Sequence, residues 1–234
     1  MTFDKEIIDY ILDVVFPIPE IGIIEDDDCD SCLNLDIIQD RIRKSGEKIT
    51  IEYGMSKFVL ISPLLTNVVI KIPFNGSYEY NEDTDELFYK KFEGASDDWH
   101  VWSDYCLAEY NKYLNLKYKH LDCFVAKTLY YKTINNTRIF LQEKVIPKFN
   151  IINERVPSER SHNQAKVITH HTYRFSDNKW VANCIDLYGE NKVEQFFDYC
   201  TEVDNDILND CHSGNYGYRL NGTPVIFDYS DFKG

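Results

Sequence analysis

The sequence predicts an α+β fold, because helical and strand-like periodicities occupy separate segments of the chain. Residues 5–16 place apolar side chains at helical spacing, whereas residues 49–60 alternate apolar and polar side chains as strands do. Further along, Asn221 and Gly222 separate two strand-like segments, which is the signature of a tight hairpin. Together these observations indicate antiparallel strands combined with helices.

The N-terminal residues 1–46 are predicted to form a helical extension. The helix over residues 5–16 ends at Pro17, because proline cannot continue the hydrogen-bond ladder of a helix. Residues 33–45 have a similar amphipathic pattern and predict a second helix. The strand-like patterns begin after these two helices, at residue 47.

Several strands are predicted in the next part of the chain. Residues 49–60 alternate on both sides of Gly54, which indicates two strands joined by a turn. A third, apolar strand follows at residues 66–73 and carries Lys71 near its end. The acidic and polar segment 76–94 is predicted to be a solvated excursion from the sheet.

A helix is predicted over residues 99–116, preceded by polar residues that suit a helix cap. Glu109 lies four positions after Tyr105 and four before Tyr113, so the three side chains share one helix face. Because the two tyrosines belong to the apolar stripe, we expect Glu109 to point inward with them.

The rest of the chain gives weaker patterns. Residues 122–146 predict a hairpin, whereas residues 151–180 show no consistent period. Within that stretch, His170 and His171 are interpreted as strand neighbours that point to opposite faces and form no metal pair. Helical spacing returns over residues 190–208.

Composition restricts the class of protein. The net charge of −14 opposes nonspecific binding to nucleic-acid phosphates, which requires clustered Lys and Arg. No apolar run approaches the roughly 20 residues of a membrane helix, and the acidic N-terminus is unlike a secretory signal. Seven cysteines, an odd number, suggest reduced thiols, although Cys29 and Cys32 have the spacing of half a zinc site. We therefore expect a cytoplasmic protein with no membrane partner.

The strongest chemical signal lies near the end of the chain. Asn215 follows Asp210 by five positions and Asp228 follows it by eighteen. A turn at residues 221–222 would fold Asp228 back beside Asn215. Phosphoryl transfer needs a group that accepts or orients the proton of the attacking hydroxyl, together with oxygen ligands for magnesium. The spacing of these side chains therefore favours phosphoryl transfer.

At these residues the chain resembles the protein-kinase-like superfamily, whose catalytic loop reads Asp-x-x-x-x-Asn and whose metal-binding Asp follows a short hairpin. With His212 two positions after Asp210, the motif is similar to that of small bacteriophage-encoded protein kinases and aminoglycoside-phosphotransferase-like kinases. The resemblance implies a protein-kinase-like bilobal fold. Residues 47–146 would form the N-terminal lobe, a β-sheet plus one helix, and residues 147–234 a truncated C-terminal lobe, since only six residues follow Asp228.

The resemblance also implies roles for five side chains. Asp210 would act as the base or would orient the acceptor hydroxyl, while Asn215 and Asp228 would bind magnesium. Lys71 would hold the α- and β-phosphates, and Glu109 would orient the Lys71 ammonium group. The implied cofactors are ATP and Mg²⁺.

Further nucleotide contacts are implied at the edges of this site. Gly54 and Ser56 fall in the turn that would cover the phosphates. Glu143 and Val145 fall in the hinge that would hold adenine through main-chain hydrogen bonds. His212 would line the catalytic loop, where it contacts a phosphate or hydrogen-bonds the backbone that shapes the loop.

The implied function is an ATP- and magnesium-dependent phosphotransferase, preferentially a small phage-type or bacterial Ser/Thr protein kinase in the cytoplasm of a bacterium or an infected host cell. Two alternatives stay open. One is a kinase for the hydroxyl of a small-molecule alcohol. The other is a catalytically inactive kinase-like binding protein that works as an inhibitor or immunity factor through its acidic surface. Substrate recognition is expected in the N-terminal helices or in residues 150–190.

Overall fold

A computed structural model of the chain describes residues 3–24, 31–54, 56–81, 84, 86–91, 105–151, 154–172, 175–204, 206–209, 211 and 214–229. In this part of the chain helices combine with antiparallel sheets, which confirms the predicted α+β class. The chain forms two compact units. The first consists of Met1–Ala108 and Thr128–Gln142, and the second of Glu109–Lys127 and Glu143–Gly234. The division into segments 1–46, 47–146 and 147–234 rests on the family resemblance and remains a prediction.

The first unit begins with the two predicted helices. Helix α1 (Lys5–Val15) starts at Asp4, whose carboxylate accepts hydrogen bonds from the main-chain amides of Glu6 and Ile7. It buries one apolar stripe and ends before the first proline, as the sequence predicts. Helix α2 (Leu35–Ser45) ends at Gly46 with a φ of 77°. This left-handed conformation favours glycine and terminates the helix.

A five-stranded antiparallel sheet forms the centre of the first unit, in the spatial order β3-β4-β5-β9-β8. Its strands are β3 (Thr50–Tyr53), β4 (Lys57–Ile61), β5 (Val68–Pro73), β8 (Thr128–Ile134) and β9 (Thr137–Glu143). Two further pairs, β1 (Gly22–Ile24) with β2 (Ser31–Leu33) and β6 (Gly76–Asn81) with β7 (Glu86–Lys91), form separate two-stranded sheets. Asn135 and Asn136 join β8 to β9 with φ values of 49° and 67°, as a tight hairpin turn requires.

One face of the five-stranded sheet packs against α1 and α2. Apolar side chains of β4, β5 and β9 share a single core with those of the two helices; the sheet contributes Phe58, Leu60, Val68, Ile70, Ile72, Ile139 and Leu141. Because side chains alternate along a strand, the residues between these positions point to the opposite face. That second face carries several buried polar side chains, including Lys71.

The predicted excursion over residues 76–94 is present in its described part, because β6 and β7 form a sheet of their own, outside the five-stranded sheet, and Leu87 and Phe88 are each 44% exposed. The sequence did not predict that this excursion is a β-hairpin. The rings of Tyr78 and Tyr89 lie opposite each other with centroids 5.2 Å apart, and the Tyr89 hydroxyl donates to Asn75 Oδ1 at 2.7 Å. This cross-strand aromatic pair stabilises the hairpin.

The second unit is mainly helical. It contains most of α3 (Tyr105–Tyr118), then α4 (Glu159–Thr172), α5 (Asn178–Tyr188), α6 (Glu190–Glu202) and α7 (Asp206–Asn209). A three-stranded antiparallel sheet completes it, in the order β10 (Val145–Pro147), β11 (Tyr216–Arg219) and β12 (Pro224–Ile226). Residues 105–116 are helical, as the sequence predicts for residues 99–116; residues 99–104 lie outside the described residues.

Three predictions for the second unit need correction. Residues 151–180 contain α4 and the start of α5, so His170 and His171 lie on a helix and not on a strand. The helix predicted over 190–208 stops at Glu202 and resumes as the single turn α7. The third correction concerns only the ends of the hairpin predicted over 122–146: β8 and β9 pair across the Asn135–Asn136 turn as predicted, but residues 122–124 form a short 3-10 helix and β10 pairs with β11.

Strands β10 and β11 approach unusually closely at Gly217. A Cβ atom at this position would lie 2.0 Å from the main-chain oxygen of Ile146. On β11 the Gly217 carbonyl accepts a hydrogen bond of 3.2 Å from the indole of Trp180, a fully buried side chain of α5. The close approach of β10 to β11 therefore depends on glycine at this position.

We predict that Gly217→Ala lowers the free energy of unfolding by about 1–3 kcal/mol or more, because the methyl group would push β10 away from β11. Urea denaturation followed by circular dichroism measures this change. The matched control is Gly54→Ala, where an added Cβ meets no atom within 4 Å, and its effect is expected to stay within about 0.5 kcal/mol. Equal stability of Gly217→Ala and wild type would contradict the close approach.

Candidate active site

The β11–β12 hairpin forms the framework of the candidate site. The Arg219 amide donates to the Thr223 carbonyl at 2.8 Å, and the Gly222 amide donates to the Arg219 carbonyl at the same distance. Gly222 has a φ of 83°, which glycine adopts without strain. The hairpin therefore turns at residues 221–222, as the Asn-Gly pair predicts.

This hairpin brings Asp228 beside Asn215. The Asn215 main-chain carbonyl accepts two hydrogen bonds, from the Phe227 amide at 2.9 Å and from the Asp228 amide at 3.2 Å. Asn215 is only 7% exposed, and Asp228 is half-buried. The predicted neighbourhood of the two proposed magnesium ligands is therefore present in the backbone.

The main chain around Asp228 is fixed on both sides. The Ile226 carbonyl accepts a 2.7 Å hydrogen bond from the Ala126 amide, and the Tyr229 hydroxyl donates to the Ala126 carbonyl at 3.0 Å. Both Ile226 and Tyr229 are buried in the core of the second unit. Because its neighbours are held on each side, Asp228 has little freedom to move, which favours a preorganised site.

Asp210 and His212 lie outside the described residues, but the helix that leads to them does not. Ile207 and Leu208 of α7 are both 1% exposed and belong to the core of the second unit. The single turn α7 therefore leads to Asp210, whereas the helix predicted over 190–208 as a whole is interrupted after Glu202. The roles of Asp210 and His212 as base and loop residue stay predictions.

Helix α3 is connected to the segment that enters this loop. The Lys112 ammonium lies 3.1 Å from a carboxylate oxygen of Asp204, and both side chains are largely buried. One turn earlier on α3, Glu109 is 0% exposed and shares its face with the buried Tyr105 and Tyr113. The predicted inward orientation of Glu109 is confirmed.

Lys71 lies on β5, in the first unit, and is 3% exposed. Glu109 belongs to the second unit, so the proposed pairing of the two side chains remains a prediction. Burying a charged group is costly unless an opposite charge or hydrogen bonds compensate it.

Gly54 and Ser56 lie in the turn between β3 and β4. The Gly54 amide donates to the Lys57 carbonyl at 3.1 Å, and the Ser56 carbonyl accepts from the Phe74 amide at 2.9 Å. Gly54 is exposed and an added Cβ there would meet no protein atom within 4 Å. The turn thus leaves the main chain open to an approaching ligand.

The predicted hinge residues take part in a network centred on Arg219. The Arg219 guanidinium donates to a Glu143 carboxylate oxygen at 2.9 Å, to the Cys123 carbonyl at 3.0 Å and to the Val125 carbonyl at 2.9 Å. Val145 lies opposite Arg219 in the strand register. No sequence pattern singled out Arg219, because its partners are distant along the chain.

The main-chain amide of Glu143 donates to the Lys127 carbonyl at 2.9 Å. This donor is therefore used within the protein. A base bound at the hinge would have to contact other main-chain groups of the segment, and the proposed contacts of Glu143 and Val145 stay predictions.

A second polar network lies beneath β11, in the stretch where the sequence shows no period. Glu154 contacts the ammonium groups of Lys148 at 2.5 Å and Lys179 at 3.1 Å, and it accepts a hydrogen bond from the Tyr218 hydroxyl. Although burial opposes the charge on Glu154, these donors hold its pKa below the usual value. Burial and the neighbouring Glu154 raise the pKa of Tyr218. The network links Lys148 and Glu154 to β11.

Two further properties concern metals and membranes. Among the described residues, no group of three or more His, Cys, Asp or Glu side chains is placed to hold a metal ion. An amide and a carboxylate form a different donor set, one that suits magnesium because this ion keeps several waters and takes few protein ligands. No helix in the described part of the chain combines the length and apolar character that a membrane span requires.

No protein-family model, curated protein or solved structure matches this chain.

We predict that Arg219→Met destabilises the second unit by about 2–4 kcal/mol, because it leaves a carboxylate and two carbonyl groups without their donor. The matched control is Arg43→Met, which removes a guanidinium whose side chain is 79% exposed and should cost less than about 1 kcal/mol. Urea denaturation measures both changes. Similar values for the two variants would mean that the Arg219 network contributes little.

We also predict that Glu154 contributes to the acid sensitivity of the fold. Its pKa is lowered in the folded state, so its stabilising contribution is complete at neutral pH and is lost as the pH falls below the ordinary value of 4.5. Glu154→Gln should therefore be less stable than wild type at pH 7 and should lose less stability between pH 5 and pH 3. Parallel stability curves for the two proteins would refute this. Glu194→Gln, at an exposed position of α6, controls for the change in net charge at pH 7.

Proposed function

We propose that this chain is an ATP- and magnesium-dependent phosphotransferase with a protein-kinase-like fold. The observation that carries the proposal is the backbone contact between Asn215 and Asp228. Its two hydrogen bonds join the main chain of Asn215, the last residue of the Asp-x-x-x-x-Asn motif that begins at Asp210, to the main chain at Phe227 and Asp228. This supports the proposal that the Asn215 amide and the Asp228 carboxylate act on one metal ion.

The donor set fits magnesium. Asn215 and Asp228 offer hard oxygen atoms, and the hairpin holds their backbones together before any ion arrives. When bound, the Mg²⁺–ATP pair supplies the γ-phosphoryl group and neutralises its charge. Asp210 would receive or orient the acceptor proton, and α7, buried through Ile207 and Leu208, gives its loop a fixed starting point.

Lys71 and Glu109 fit the phosphate-binding role. Both are charged residues whose side chains are almost completely buried, as the phosphate-binding lysine and its carboxylate are in protein kinases. Lys71 lies on the third strand of the five-stranded sheet, where protein kinases carry their phosphate-binding lysine. A sheet-rich first unit and a helix-rich second unit also fit a bilobal kinase-like architecture.

The preferred acceptor is the hydroxyl of a Ser or Thr side chain in a protein. This preference rests on the similarity of the Asp-x-His-x-Gly-Asn wording to small phage-encoded protein kinases, and it places the protein in a bacterium or an infected host cell. A small-molecule alcohol is the alternative acceptor, since the same wording is similar to aminoglycoside-phosphotransferase-like kinases.

The test is transfer of label from γ-labelled ATP by the purified full chain in the presence of magnesium. The acceptors are a dephosphorylated bacterial lysate and, separately, a panel of small alcohols that includes aminoglycosides. Label on protein Ser or Thr would support a protein kinase, and label on an alcohol would support a small-molecule kinase. Neither transfer nor magnesium-dependent ATP binding would overturn the proposal and favour a binding protein.

Asp228→Asn is expected to reduce transfer by at least about 100-fold, because it removes a negative charge from the position that would hold the metal. The matched control is Asp198→Asn, the same change at an exposed position of α6 in the same unit. Its activity should equal that of wild type. Equal activity of Asp228→Asn and wild type, with both correctly folded, would remove Asp228 from the site.

A further inference from the structure

A groove of about 580 Å³ lies in the second unit. Its wall is formed by residues 146, 150, 151, 154 and 155, by Leu187 near the end of α5, and by residues 218–223 around the β11–β12 turn. Ligand pockets commonly have volumes of about 300–1,000 Å³. Among the described residues that line the groove, none is one that we assign to the nucleotide or the metal. The groove is therefore a separate candidate site.

The wall of the groove exposes three large aliphatic side chains. Ile146 is 37% exposed, Leu187 41% and Leu220 55%. They come from three distant parts of the chain, and the fold brings them to one concave surface. Single exposed apolar side chains are common, whereas several that converge on one surface are typical of interaction sites. A partner that covers them would gain hydrophobic free energy.

Two of the charged side chains in the wall are compensated within the protein. Glu154 contacts the ammonium groups of Lys148 and Lys179. The Arg219 guanidinium contacts the Glu143 carboxylate. Because these charges already have partners, they shape the groove and do not select what binds in it.

Arg155 is the remaining charged residue of the wall. It is exposed, and its guanidinium forms no ion pair with a residue in the described part of the chain. The pKa of Asp186 is lowered mainly by the hydrogen bond from the Ser161 hydroxyl, then by those from Ser158, and last by Arg155. Asp186 is thus held by the two serines, and Arg155 can bind a carboxylate of a partner through two parallel N–H donors.

The shape of the groove favours a peptide over a small molecule. A pocket for a small molecule encloses about 70–90% of its ligand, whereas this groove is open to solvent along one side. An extended segment of a protein binds in such a groove with some side chains inserted and the rest in water. Apolar anchors beside an arginine are also typical of protein–protein contacts.

We propose that this groove binds an extended segment of a partner protein in which a large apolar side chain lies next to an aspartate or glutamate. The apolar side chain would pack among Ile146, Leu187 and Leu220, and the carboxylate would pair with Arg155. The inference requires only binding and does not depend on the proposed function. Together, the two proposals would make the segment a recruitment site of the protein whose Ser or Thr receives the phosphoryl group.

The test begins with a selection of displayed random nonapeptides on the purified full chain. The recovered peptides should carry Asp or Glu within two positions of Leu, Ile or Phe. A fluorescein-labelled synthetic peptide of the recovered sequence is then titrated with protein, and fluorescence anisotropy gives its affinity. Leu220→Asp should weaken binding by about tenfold or more, because it places a charge in the apolar wall and repels the acidic peptide. The control is Leu114→Asp, at an exposed leucine of α3 in the same unit that does not line the groove, and it should bind like wild type.

Charge reversal tests the role of Arg155 by a gain of binding. Arg155→Glu should weaken binding of the acidic peptide by about tenfold. It should bind a second peptide, in which lysine replaces the acidic residue, at least about fivefold more tightly than wild type does. Arg160→Glu, at an exposed position of α4, makes the same change in net charge and should leave both affinities unchanged. Because an unfolded variant cannot gain affinity, this result does not depend on the stability of the variants.

Several results would overturn the inference. One is the absence of any peptide enriched on wild type relative to a parallel selection on Leu220→Asp. Another is equal affinity of the recovered peptide for wild type, Leu220→Asp and Arg155→Glu. A second copy of the chain is the competing occupant. A wild-type dimer in sedimentation velocity that Leu220→Asp converts to a monomer would assign the groove to self-association.

The inference and the proposed function fail separately. Binding of the acidic peptide that depends on Arg155 and Leu220, without any label transfer from ATP, would support the groove and overturn the reaction. Label transfer without enrichment of any peptide would support the reaction and overturn the groove.

Discussion

The candidate site depends on a single carbonyl group. The main-chain oxygen of Asn215 accepts the amides of both Phe227 and Asp228, and this pair of hydrogen bonds closes the open end of the β11–β12 hairpin. These two hydrogen bonds position the main chain of Asp228 beside that of Asn215. The Ala126 amide holds the returning strand through the Ile226 carbonyl, so that the main chain of Asp228 occupies a fixed place relative to Asn215. A hairpin of so few residues has little stability alone, and its precision comes from the buried core beneath it.

Charge burial is the second constraint on the molecule. Lys71 in the first unit and Glu109 in the second are withdrawn from water, and neither belongs to the hydrophobic core of its unit. A charged side chain can be buried in this way where hydrogen bonds or opposite charges compensate it. Arg219 shows such compensation, because its guanidinium donates to the carbonyl groups of residues 123 and 125 and so holds strands together.

Local sequence patterns predicted local structure correctly, whereas contacts between residues far apart in the sequence could not be predicted from them. Helix α1 has a wide apolar stripe and a capping residue, and the Asn-Gly turn defines its hairpin, so both were predicted correctly. Helix α4 was missed because its buried face consists mainly of Ser161, Ala165 and Ile168, which gives little hydrophobic periodicity. The partners of Arg219 at residues 123 and 125 are more than ninety positions away, and no local pattern reports such a contact. In the candidate site, the hairpin turn and the inward orientation of Glu109 were predictable from the sequence. The burial of Lys57 on β4 was not, because it depends on how the strands pair.

The chain passes from one compact unit to the other three times, after residues 108, 127 and 142. This interleaving has a consequence for synthesis on the ribosome. The sheet of the first unit lacks β8 and β9 until residue 142 has emerged, although α1 and three of its strands are made much earlier. Residues 109–127 must likewise wait for the C-terminal segment. The nascent chain therefore exposes incomplete apolar surfaces for most of its translation, when binding by chaperones is most useful.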